Sequence, residues 1–182
     1  TYTEVDAGGY LTVATNRVTA LNVPNNSTSY LYKDFGVDYF NGISHRFSLY
    51  VTSLSADNIS YYVYGLSNSV ATLLNGAGYK TVVSVSRISG VYYLYVIVYN
   101  GTSVSANDSM VISLLKSYYV EVLHTAGTQV FTVKVYSDAA FSVLVDTLVI
   151  TSAYNNTKWR YLYAFSSIGS GVANTGTLYS EN

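Results

Sequence analysis

The chain has no cysteine, one proline and few charges: of its 182 residues only 10% are Asp, Glu, Lys or Arg. Lack of cysteine excludes disulfides and thiolate zinc sites, and leaves the compartment open. A lone proline, Pro24, provides no stiff linker, and the length is ample for one core, so a single domain over 1–182 is the expectation. No apolar run reaches the ~18 residues that suggest a membrane-spanning helix, so no insertion is expected. A net charge of −1 gives no electrostatic footprint for nucleic acid or an anionic membrane. The chain starts at Thr1 with neither Met nor a signal peptide, which reads as a processed or cut terminus.

Ser, Thr, Asn, Gly and 21 Tyr take the place of the missing charges. Such a surface is neutral and rich in hydrogen-bonding groups. It suits sugars, or packing against further copies of the chain, because near-zero net charge favours association. Sequons at Asn25, Asn26, Asn58, Asn100, Asn107 and Asn155 hint only weakly at an extracellular life, since this composition produces many by chance.

Alternation with a period of two runs through the chain. From Arg46 onward, Phe47, Leu49 and Val51 share one face. In Val91–Tyr99, Leu94, Val96 and Val98 share a face with Tyr92, and Val91, Tyr93, Tyr95, Ile97 and Tyr99 take the other. Strands are expected at Thr1–Asp6, Leu11–Thr15, Arg17–Leu21, Tyr61–Leu66, Lys80–Ile88, Met110–Leu115, Tyr118–Thr125, Gln129–Ser137, Val143–Thr151, Trp159–Ser166 and Thr175–Ser180. Ser89-Gly90, Asn100-Gly101 and Ala126-Gly127 mark turns between them. Asn75-Gly-Ala-Gly78 marks a loop, with one helical turn before it at Val70–Leu74. Many short strands at regular spacing, with no sustained helical period, predict an all-β sandwich. Its inner faces should carry the aliphatic sides of these strands, including Val83, Val85, Val120, Val122, Phe131, Val133 and Val135.

The stretch Tyr30–Val51 combines a polar, aromatic loop with a following strand. The loop gathers Lys33, Asp34, Asp38, Asn41, His45 and Arg46. Pairing of Lys33 and Arg46 with Asp34 and Asp38 is expected to order it. Calcium held by Asp34, Asp38 and Asn41 is the alternative, and the less favoured one.

This stretch resembles a concanavalin A-like (LamG-like) jelly-roll domain found in phage and environmental virus-like reading frames. There an E-x-D near the start precedes a Y-x-Y-K-D-x-G-x-D-x-F loop and a strand opening with H-x-F. The matches here are Glu4 and Asp6, Tyr30 to Phe40, and His45 with Phe47. Tyr64-Gly-Leu-Ser-Asn68, Tyr136-Ser-Asp138 with Val145-Asp-Thr-Leu148, and Arg160-Tyr-Leu-Tyr-Ala164 follow in the expected order. The resemblance implies an antiparallel two-sheet jelly-roll sandwich with a role in glycan or surface contact. It implies no activity.

Glycosidases of this fold commonly use E-x-D-x-x-E, because two acids must flank the scissile bond. Glu4-Val-Asp6 begins that pattern, but Gly9 stands at the third acid, so an endoglucanase-like hydrolase is disfavoured and Glu4-Val-Asp6 reads as a loop-pinning pair. His45 and His124 lack ligand spacing, so no metal site is expected. No cofactor fingerprint occurs. What remains is aromatic. Tyr93, Tyr95 and Tyr99 share a strand face, and Tyr62, Tyr64, Trp159, Tyr161 and Tyr163 could lie beside them. These rings are candidates for stacking on sugars or for meeting another subunit, with cross-strand packing as the structural alternative. The expected function is a non-enzymatic surface module that binds glycans or builds a virion or other extracellular assembly. The alternative is a self-assembling filament or coat subunit with a Tyr-rich face, hence a homo-oligomer.

Overall fold

A computed structural model describes residues 1–75, 78–152, 158–168 and 173–181. The sequon at Asn155 and the middle of the Asn75–Gly78 loop lie outside them. The described strands form two seven-stranded antiparallel sheets. The first holds, in spatial order, β1 (Thr3–Asp6), β4 (Ser29–Asp34), β13 (Tyr161–Ser167), β6 (Ile59–Ser67), β7 (Tyr79–Ile88), β8 (Val91–Asn100) and β9 (Ser103–Ile112). The second holds β12 (Leu144–Thr151), β11 (Val130–Tyr136), β10 (Ser117–His124), β5 (Ile43–Leu54), β14 (Thr175–Glu181), β3 (Arg17–Pro24) and β2 (Leu11–Val13). This is the expected all-β jelly-roll sandwich.

Every apolar residue expected on the inner faces is buried, from Phe47, Leu49 and Val51 to Val133 and Val135. Alternation dictates this, since a one-residue slip in register would turn a whole strand's aliphatic side to water. Val96 is fully buried in this core, so Val96→Ala should cost about 2 kcal/mol or somewhat more, through lost burial and the cavity left behind. A urea midpoint no lower than that of a surface Ser→Ala control would contradict that placement. The β7–β8 hairpin turns on Ser89 and Gly90, both at positive φ (50° and 79°), as a two-residue turn matched to strand twist requires.

Three local expectations are corrected. Tyr30–Asp34, read as loop, is most of β4, inside the first sheet between β1 and β13. Its alternation was present but obscured: Leu31 enters the core, Tyr30 joins an outer cluster, and Lys33 and Asp34 give the segment a polar look. Val70–Leu74 forms no helical turn; a turn closes instead where Asn75 N–H donates to Thr72 C=O at 3.0 Å. The third concerns ion pairs. Asp34 is bound by Arg160 through Nε at 2.8 Å and a terminal nitrogen at 2.6 Å, and Arg46 pairs with Glu121 at 2.7 Å. Lys33 Nζ sits 4.6 Å over the Phe35 ring. Segments distant in sequence supply the partners of Asp34 and Arg46, which a local reading cannot anticipate.

The first sheet carries a second apolar layer on its outer face. Tyr30, Tyr62, Leu73, Val82, Tyr99, Tyr161 and Tyr163 cluster there. The segment between β6 and β7 covers them in part: Leu73 N–H donates to Ser166 Oγ and Ala71 N–H to Tyr163 Oη, at 3.0 and 3.2 Å. Lys80 is buried beneath it, donating to Leu74 C=O at 3.1 Å.

Candidate functional site

The covering segment decides which tyrosines are available. Tyr99, expected on an open ladder, is buried, and its hydroxyl meets that of Tyr62 at 3.0 Å. Tyr161 and Tyr163 are buried in the same outer layer. Tyr62 and Tyr64 do not lie side by side: a register shift between them sends Tyr62 outward and Tyr64 into the inter-sheet core. Trp159 is also internal, with ring contacts to Phe131 at 5.3 Å and His124 at 5.4 Å. These six rings are therefore not part of an open surface, and aromatic packing explains their positions.

Tyr93 and Tyr95 remain. They are half-buried on the outer face of β8, with ring centroids 5.6 Å apart and planes tilted by 40°. The i, i+2 spacing of a strand places them so. On β7 they face Ser86 and Ser84, and on β9 Val111 and Ser109. Ser86 Oγ is hydrogen-bonded to Ser60 Oγ at 2.7 Å. Val111, 62% exposed, extends the patch to the open edge of the sheet. None of the facing residues here is charged. The patch thus offers two ring faces and an accessible edge; Ser84 and Ser86 are buried and Ser109 is half-buried.

The polar stretch disperses rather than converging. Asp34 ends β4 and also accepts from Gly36 N–H at 2.8 Å; the Arg160 guanidinium beside it holds its carboxyl below the usual range. Asp38 sits exposed in a turn at φ 56°, and Asn41 is exposed. His45 turns inward and stacks on Tyr64 at 5.4 Å, while Arg46 lies on the outer face of the second sheet, 4.7 Å over Phe141. Asp6 is a pin, accepting from Leu11 N–H at 2.6 Å and Ser29 Oγ at 2.8 Å. Among the described residues no three His, Asp or Glu side chains are grouped to hold a metal. With Asp34 already saturated by Arg160 and Gly36, excess EDTA should leave the melting temperature unchanged. A fall of several degrees, reversed by calcium, would contradict this. Among the described residues no helix is long and apolar enough to cross a membrane.

No protein-family model and no curated protein sequence matches the chain. Solved structures do. The winged bean acidic lectin, in complex with methyl-α-D-galactose, superposes with a TM-score of 0.59 at 11% identity, over 100% of this chain and 92% of the lectin. Carbohydrate-binding module CBM66 from Bacillus subtilis gives 0.55 at 10% identity, over 100% and 95%. An alginate lyase of polysaccharide lyase family 7 gives 0.50 at 15% identity, over 98% and 82%. At such identities the likeness concerns the fold alone, and that fold is the concanavalin A-like jelly roll.

Proposed function

We propose that this chain is a non-catalytic glycan-binding module of an extracellular or virion surface, and that Tyr93 and Tyr95 are its contact rings. The observation that carries the reading is the tilted, half-buried Tyr93–Tyr95 pair on an outer face whose cross-strand partners are uncharged. A sugar ring has an apolar face for stacking and equatorial hydroxyls for hydrogen bonds, and Tyr serves both. The lectin and the carbohydrate-binding module of the same fold support the ligand class. The resemblance to virus-like LamG-like domains supports the setting. Neither of the acids in Glu4-Val-Asp6 is placed for hydrolysis in this reading: Asp6 is spent on Leu11 and Ser29, and Glu4 lies exposed on β1. A glycan array probed with the monomer tests it. Binding to a defined oligosaccharide class, insensitive to moderate salt because the patch is uncharged, is the expected result; a blank array sinks the proposal.

One observation favours a second reading, self-association through the same face. Val104 and Val111, 52% and 62% exposed, lie on β9, the open edge of the first sheet. Among the described residues no strand pairs with its outer side, and an apolar sheet edge invites another copy. Concentration-dependent polymerisation in the absence of sugar would favour this reading over the first.

A further inference from the structure

A cleft opens between the two sheets on the side of β2 and β3, far from the Tyr93–Tyr95 face in sheet order. Its cavity volume is about 180 Å³, and it opens to solvent. Its walls are apolar: Val13 and Val18 from β2 and β3, Phe47 from β5, Val63 from β6 and Leu162 from β13. Thr15, Asn16 and the Arg17–Glu181 ion pair form a polar rim, the two charges answering each other. Apolar walls with few placed polar groups are the usual make-up of a small-molecule site.

The Tyr64 hydroxyl supplies the second observation. Tyr64 lines the cleft, is 1% exposed, and its Oη has no protein hydrogen-bond partner. A buried unpaired hydroxyl is costly, and most find a partner. The ring cannot swing away to find one. It is held in a triangle of rings with Phe47, at 5.8 Å and 10°, and His45, at 5.4 Å and 27°, which also touch each other at 6.0 Å. Tyr2, more than a third exposed, also lines the cleft and lies close enough to Tyr64 to add to the upward push that burial gives its phenol.

We propose that this cleft binds an uncharged aromatic or alicyclic ring compound whose hydroxyl or carbonyl meets Tyr64 Oη. The apolar walls select a ring body. The fixed hydroxyl selects one polar substituent at its inner end. The self-paired rim selects neutrality, since neither Arg17 nor Glu181 is left to answer a ligand charge. The site is separate from the glycan-contact face, and either could fail without the other.

The test uses 2-naphthol, followed by calorimetry on the intact chain, with Tyr64→Phe and the Tyr93→Ser/Tyr95→Ser double variant alongside. Tyr64→Phe removes only an unpartnered hydroxyl, so its melting temperature should equal or exceed that of the parent. One-to-one binding to the parent, weakened about tenfold in Tyr64→Phe and unchanged in the double variant, is the expected result. No binding, or equal affinity for Tyr64→Phe, overturns the proposal. So does loss of binding in the double variant, which would place naphthol on the outer rings. A melting temperature several degrees lower for Tyr64→Phe also overturns it, because the hydroxyl would then be satisfied within the fold.

Discussion

Raised above about pH 10, the protein should lose stability steeply and unfold cooperatively between about pH 11 and 13. The cause is the burial of Tyr61, Tyr62, Tyr64 and Tyr163, which pushes each phenol well above its ordinary value of 10.0. Tyr61 donates to Val23 C=O and Tyr163 to Ser69 C=O, roles a phenolate cannot fill. Below pH 10 these residues are protonated in both states and contribute no pH dependence. Above it the unfolded chain releases protons that the folded chain keeps, so the unfolded state gains. Each such tyrosine costs about 1.4 kcal/mol per pH unit, and the four together about 5–6. A total stability of roughly 5–15 kcal/mol is then exhausted within about one to three units. Lys80 acts oppositely. Burial lowers its pKa from 10.5 to about 8, so between those values the unfolded chain holds the extra proton and stability rises slightly before the tyrosines dominate. Circular dichroism and phenolate absorbance followed together check this. The buried phenols should ionise in step with loss of the sheet signal. Complete ionisation with the sheet signal intact would show that these rings reach solvent.

Replacing Tyr93 and Tyr95 together by Ser should weaken glycan binding about a hundredfold while leaving the fold cooperative. Each ring is half-buried, and its partners across β7 and β9 are Ser84, Ser86, Ser109 and Val111. The core face of β8, with Leu94, Val96 and Val98, is untouched. A stacked aromatic contributes about 1–1.5 kcal/mol, so the pair is worth roughly two decades in affinity. Loss of cross-strand packing costs about 1 kcal/mol per ring at most, too little to unfold a sandwich. A double variant that binds normally would move the contact elsewhere; one that unfolds would make these rings part of the core.

The fold was legible because its signal is redundant. Leu94, Val96 and Val98, then Val133 and Val135, announce the same inner face, and tertiary packing agrees with each strand. The aromatic site was legible only in part. Tyr93 and Tyr95 follow from alternation alone. Tyr64 does not, because a single register shift in β6 reverses its side relative to Tyr62. Tyr99, Tyr161 and Tyr163 sit on the face that alternation allows, yet the segment between β6 and β7 folds over that end of the sheet. No period in the sequence encodes such a cover. The Asp34–Arg160 and Arg46–Glu121 pairs were hidden for a related reason, since each joins segments brought together only by sheet order.

Hydroxyl-radical footprinting of the monomer, free and saturated with the oligosaccharide it binds best, tests the central claim most directly. The account requires Tyr93 and Tyr95 to be labelled in the free protein and protected by the glycan, with Tyr62, Tyr99, Tyr161 and Tyr163 silent in both states. Protection of Tyr93 and Tyr95 before any glycan is added, or glycan protection confined to other residues, would contradict it.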